Sequence, residues 1–228
     1  MIESGRELRR LGQKARSMEA AAGEIVDHFH DKFLDSHGTS NFVLVRAFKT
    51  HSFGKLPPDL EGVAIALAAG DAVLAAAPYL CLLASRGVEP RWNGRAGSQG
   101  HRAIPLSSAA VANAPMIARL FHQMGVGLNA DPGDGDLLMV DEDGQTFNVF
   151  HVEEAPGSEY VPAQESFILP YKVRSVIGFG GALPSNELFA FVLFSRTHIS
   201  PETAELFRTL SLGAKLVLLP FAGGAVFD

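Results

Sequence analysis

The run from Leu169 to Leu219 constrains the fold more than any other part of the chain. It reads as strand, tight turn, strand and amphipathic helix. Arg174–Leu183 and Glu187–Arg196 are rich in Val, Ile, Phe and Leu, with the turn formers Pro184, Ser185 and Asn186 between them, which predicts a hairpin. Ser200 then offers an N-cap hydroxyl and Pro201 a pre-set first helical residue. Glu202 and Glu205 place negative charge in the first turn, where the helix dipole favours it.

Upstream, Asn41–Thr50 is predicted as a strand, Pro57-Pro58-Asp59 opens a helix to about Ala75, and Tyr79–Ser85 is a second strand. Glu89–Ile104 has no periodicity and reads as a long loop. Ser107 or Ser108 caps a helix through about Met124, with Pro115 as a kink or restart. Asp136–Val140 and Thr146–Val152 flank Glu142-Asp143-Gly144 as an expected hairpin. The sum is one α/β (α+β) domain, with a mainly antiparallel central sheet flanked by long N- and C-terminal helices.

At the N-terminus, Leu8, Leu11, Ala15, Met18, Ala22, Ile25 and Phe29 recur three and four apart, the seam of a heptad helix. A helix of about 28 residues outruns a domain of this size. Two readings stand: a stripe packed on the domain's own sheet, or a dimer seam. Residues 1–35 are accordingly set apart as a dimerisation and signalling helix, and residues 36–228 as the sensory domain. Gly12 and Gly23 weaken the segment as a free coiled coil.

A net charge of -6 argues against nucleic acid as the main partner. Cys81 is the only cysteine, which excludes an intramolecular disulfide and a cysteine-based zinc site; in its apolar run it reads as a buried thiol. Met1–Glu24 has no apolar central run of the signal-peptide kind. Val63–Ala84 is apolar, but Gly70-Asp71 and Pro78 interrupt it, so no membrane insertion and a cytoplasmic location are expected.

Most signatures of catalysis are missing. Gly178-Phe179-Gly180-Gly181 lacks dinucleotide spacing and lies in a strand, where glycine allows a bulge or the approach of a ligand to the backbone. The acidic loop Asp131–Asp136 does not place its glycines as a calcium loop requires. Of the eight histidines, His28 and His30 point apart on a helix and cannot chelate together. His101 and His151 are the two that suit a pocket wall, a haem or metal ligand, or a backbone bond.

Two polar-aromatic segments read as pocket material: Trp92–Pro105 and Thr146–Gln164. They bring Trp92, His101, Asn148, Phe150, His151, Tyr160 and Gln164 together as candidate ligand-binding residues, the mixture a concave site needs to fix an apolar ligand with a few polar groups. A long loop packed down on itself needs the same mixture to satisfy its backbone.

Phe48-Lys49-Thr50-His51, WNGRAGSQGHRAIPL, FNVFHVEEAPGSEYVPAQ and LPYKVRSVIGFGGALPSNELFAFVLFSR together resemble the GAF-like N-terminal input region of bacterial sensor histidine kinases and related signalling proteins, over most of residues 24–220. The resemblance implies a cytoplasmic small-molecule sensor in signal transduction, of the two-component kind and not itself an enzyme. It also implies a homodimer through the terminal helices and a histidine kinase or other output module as partner. Phe48, Arg174 and Phe179 are then implied as further pocket walls. Arg174 is the candidate for an anionic or carbonyl group, or else the holder of a surface ion pair. The ligand is unknown; haem or a metal at His101 and His151, as sensor or enzyme, and a ligand-free interaction module are the alternatives.

Overall fold

The computed structural model describes residues 2–68, 77–98, 100–107, 110–111, 114–123, 126–127, 138–139, 149–184 and 187–228. Strands β1 (Phe42–His51), β2 (Tyr79–Gly87), β3 (Ala103–Pro105), β6 (Val149–Val152), β7 (Ser175–Ala182) and β8 (Leu188–Ser195) form one six-stranded sheet in the order β3-β2-β1-β8-β7-β6. Every neighbouring pair is antiparallel. The expected hairpin is β7–β8: Ala182 faces Leu188, and Leu183 N–H donates to Glu187 O at 2.7 Å. Its turn residues Ser185 and Asn186 lie outside the described residues.

Among the described residues the second expected hairpin does not pair as read. Strand β5 (Leu138–Met139) pairs with β4 (Val126–Gly127) in a separate two-stranded ladder, while β6 pairs with β7. The alternation of Phe150 and Val152 buries both against the main sheet's core, which gives β6 more apolar contact there than a detached hairpin offers. Residues 140–148, including the proposed turn, are outside the described residues, as is the continuation of α3 (Pro58–Ala68) towards Ala75.

One face of the sheet is sealed by helices. The expected C-terminal helix starts where read, with Ser200 accepting from Thr203 N–H, and runs as α5 (Pro201–Glu205) and α6 (Phe207–Leu218). It packs with α2 (Met18–Lys32) over Val45, Ala47, Ile177, Phe179, Phe191 and Leu193. Phe29 lies 5.7 Å from Phe179, which stacks on Phe191 at 5.3 Å. Ser211 meets the sheet by donating to Gly180 O at 3.0 Å.

The single long N-terminal helix is two helices. After α1 (Ile2–Leu8) the chain turns through residues 9–17, and α2 begins beyond the Ser17 cap, whose hydroxyl accepts from Ala20 N–H at 2.9 Å. Gly12 makes the break: its φ is +73°, its N–H donates to the Glu24 carboxylate at 2.7 Å, and a Cβ there would lie 2.7 Å from Val217 Cγ1. Leu8, Met18, Ala22, Ile25 and Phe29 are buried in this chain's own core, with Leu11 and Ala15 packed beside them. The predicted seam is therefore spent on the protein's own sheet and α6, because an apolar stripe of this kind is satisfied by whichever apolar surface the chain folds against it. The C-terminal tail then occupies the open N–H groups of α2: Met18 donates to Ala225 O and Glu19 to Val226 O.

The other face is roofed by α4 (Pro115–Gln123), the π-helical turn Gln164–Ile168 and irregular chain. Gly178 is what lets α4 down onto it: a Cβ there would sit 3.1 Å from Leu120 and 3.2 Å from Phe150. The close approach anticipated at this glycine is thus made by the protein's own helix. A third, smaller cluster packs Leu56, Leu60 and Ala64 on Tyr79, Cys81 and Ala103. Burial pushes the Cys81 thiol up to about 12, which makes it the inert group its sequence context suggested.

Candidate functional site

Strand β1 decides which side chains enter the loop-covered face. Val45 and Ala47 belong to the helix side, so by the period of two Leu44, Arg46 and Phe48 point to the other. Arg46 is a cation in the middle of a strand buried along its whole length, and it is only 8% exposed. Across the ladder it faces Ser85 on β2 and Val192 on β8. The same rung continues through Gly178 to Phe150.

Arg46 Nε and Ser85 Oγ are both buried without a hydrogen-bond partner, and no acidic side chain pairs with Arg46 among the described residues. Burial alone pulls the Arg46 pKa down to about 10, so the guanidinium stays charged at neutral pH. Interiors rarely leave such groups unpaired, since each carries the full cost of desolvation.

The Trp92–Ser98 loop runs along the free edge of β2 beside this rung. Gly94 N–H donates to Ser85 O at 2.7 Å, Asn93 Oδ1 accepts from Gly87 N–H at 2.9 Å, and Ser98 Oγ donates to Gly94 O at 2.7 Å. Trp92 leans over Gly87, where any Cβ would meet its ring at 2.9 Å. Its ring meets Tyr171 at 4.7 Å and Phe167 at 5.4 Å, and Phe167 stands edge-on to Phe194 at 5.0 Å. At the far end, Arg119 covers the Tyr160 ring at 4.3 Å.

The sequence-derived set divides on this geometry. Phe48, Trp92, Phe150 and Tyr160 all belong to the loop-covered core. His101 is exposed, in the left-handed conformation (φ 54°) beside Gly100. Desolvation and the charge of Arg46 both lower its pKa. Asn148 lies outside the described residues.

The remaining four serve elsewhere. Phe179 points into the helix face, because Gly178 and Gly180 hold the loop-facing positions of β7. His151, next to Phe150 on β6, is turned to the opposite face by the same alternation, and its Nε2 lies 2.8 Å from Ile199 O. There it lines a shallow groove with Val149, Pro201 and Glu202. Gln164 braces its own loop, accepting from Gly157 N–H at 2.9 Å and donating to Val161 O at 2.7 Å. Arg174 is exposed and lies 3.7 Å from Glu154, the surface ion pair that was its other reading.

His101 and His151 cannot share a metal. One leads into β3 and the other lies on β6, the two edges of the sheet, and five strand spacings separate these by about 24 Å. Among the described residues no group of three His, Cys, Asp or Glu side chains is placed to hold a metal ion. No described helix is long and apolar enough to cross a membrane.

Arg46 was missed by sequence reading although a signal was present. In Asn41–Thr50, a single arginine shares the alternate positions of Leu44 and Phe48, so a strand buried on both faces must also bury a charge. Arg95, in the loop read as pocket material, instead knits the third cluster. It lies 2.9 Å from Glu19, is ion-paired to Asp59, and stands 5.1 Å from the Phe227 ring.

No protein family and no curated protein matches the chain. Among solved structures it is similar to CepR2, an N-acylhomoserine lactone dependent LuxR family transcription factor from Burkholderia cenocepacia, at 14% identity and a TM-score of 0.47, over 97% of this chain and 98% of that one.

Proposed function

We propose that this chain is a small-molecule-binding sensor or regulatory domain whose ligand lies on the loop-covered face of the sheet. One observation carries the reading: Arg46 Nε and Ser85 Oγ are buried, unpartnered polar groups on a single rung beside the Trp92–Ser98 loop. A face evolved only for packing has no use for them, whereas a concave site needs a few such groups among apolar walls. The GAF-like resemblance agrees in kind, with helices on one face and irregular chain on the other.

The output half of the proposal is a homodimer through the C-terminal helix, passing a change to a histidine kinase or other signalling module. Leu212 and Leu216 on α6 and Leu219 in the turn just after it stand 46%, 48% and 37% exposed at heptad spacing, whereas the N-terminal seam is already buried. A ligand with unequal affinity for two packings of α6 on the sheet would shift their populations.

Packing of Trp92, Phe167, Tyr171 and Phe194 favours a second reading, an interaction module whose pocket is filled by its own rings. Native mass spectrometry of freshly purified protein separates the two. A reproducible small adduct supports the sensor. Bare protein, unchanged by any compound in a broad small-molecule thermal-shift screen, supports the module.

A further inference from the structure

We propose that the Arg46–Ser85 rung is the head-group site for a carboxylate on an otherwise apolar small molecule. This deepens the ligand-site reading above and rests on it.

The donors set the head group. A guanidinium presents five N–H donors in a planar fork that matches the two oxygens of a carboxylate, and the Ser85 hydroxyl, one strand away on the same rung, adds another. An ionised partner is what a buried, uncompensated arginine lacks, and a molecule that supplies one removes the penalty of the empty site.

The charge count favours carboxylate over phosphate. Arg46 brings one positive charge, and His101, the other titratable side chain coupled to it, is held towards its neutral form. A single negative charge is balanced there; a phosphate dianion is not.

The surroundings set the rest of the ligand. Leu44, Phe48 and Val192 flank Arg46, each less than a tenth exposed, and Phe150 closes the rung. These side chains are already packed, so an apolar body lies against them only where the residues that cover them give way.

Titration calorimetry with decanoate and with decanamide, its neutral match in length, tests the assignment on wild type, Arg46→Met and Arg46→Lys. Wild type is expected to bind decanoate at least tenfold more tightly than decanamide. Arg46→Met is expected to lose at least tenfold for decanoate and under twofold for decanamide, with Arg46→Lys between. Equal decanoate binding by wild type and Arg46→Met, or equal binding of acid and amide, overturns the proposal. A melting temperature of ligand-free Arg46→Met below that of wild type also overturns it, because it shows that Arg46 already has an internal partner.

Mass spectrometry of molecules released from denatured wild-type protein keeps the two levels apart. A carboxylate found there and missing from Arg46→Met protein supports the proposal. A neutral molecule bound with no response to decanoate overturns the carboxylate and leaves the sensor reading standing. Neither a released molecule nor binding of either probe overturns both.

Discussion

Ser85 lies directly opposite Arg46 across the β1–β2 ladder, and the Ser85 hydroxyl and Arg46 Nε are both buried without a hydrogen-bond partner. Cross-strand neighbours of this kind are about 5 Å apart at Cβ, close enough to grip one small group together. In ligand-free protein, by contrast, each adds only its desolvation cost. Arg46→Met is therefore expected to raise stability by about 1–3 kcal/mol, measured by urea unfolding of ligand-free protein.

The neighbouring buried charge behaves in the opposite way. Lys49 is fully buried and its Nζ lies 2.5 Å from the Glu187 carboxylate. Glu187→Gln removes the charge that balances it and is expected to cost about 3 kcal/mol. Replacing both partners, Lys49→Met with Glu187→Leu, is expected to recover most of that loss in the same unfolding assay.

Acid sensitivity is expected to centre on His51. Burial first, then the charge of Lys49, push its pKa down to about 4, and its Nε2 is buried unpartnered. The unfolded chain binds this proton near pH 6.5, so unfolding takes up a proton between the two values. Its contribution is whole above pH 6.5 and fades as pH falls towards 4, by up to about 3 kcal/mol. His51→Phe is expected to flatten that part of the curve of unfolding free energy against pH. An unchanged slope would exclude His51 as its source.

On the helix face, Phe29 is completely buried against Phe33, Phe179 and Phe207. Phe29→Ala is expected to destabilise the protein by about 3–5 kcal/mol, read from the shift in urea midpoint.

The exposed face of α6 gives a contrasting outcome. Leu216→Glu leaves the core untouched, so unfolding of the isolated subunit is expected to change by less than about 0.5 kcal/mol. Light scattering is expected to show a dimer for wild type and a monomer for the variant. Equal masses would discount this surface.

Several elements were legible because their signals are local. The β7–β8 hairpin and the Ser200–Pro201 helix start are specified by residues within a few positions of one another, and both form where read. The N-terminal break was less legible. Gly12 marks it, but the reason lies in Val217, which leaves no room for a side chain there. Of the candidate site residues, Phe48, Trp92, Phe150 and Tyr160, read from composition and resemblance, share the loop-covered core. His151 and Phe179 lie on the opposite face and Arg174 in a surface ion pair, since adjacent residues in a strand face opposite ways and composition carries no register.

By itself, the sequence determined the antiparallel α+β character, the final hairpin and helix, and the inert setting of Cys81. All of these follow from periodicity, turn chemistry and capping within short spans. Only the tertiary structure decided that the N-terminal stripe packs on the protein's own core, and that Arg46 is buried in its strand while Arg174 is exposed. Each of those outcomes depends on which distant strand or helix lies opposite. Pairing Arg46 with Ser85, 39 positions away along the chain, is a property of the ladder and not of either segment.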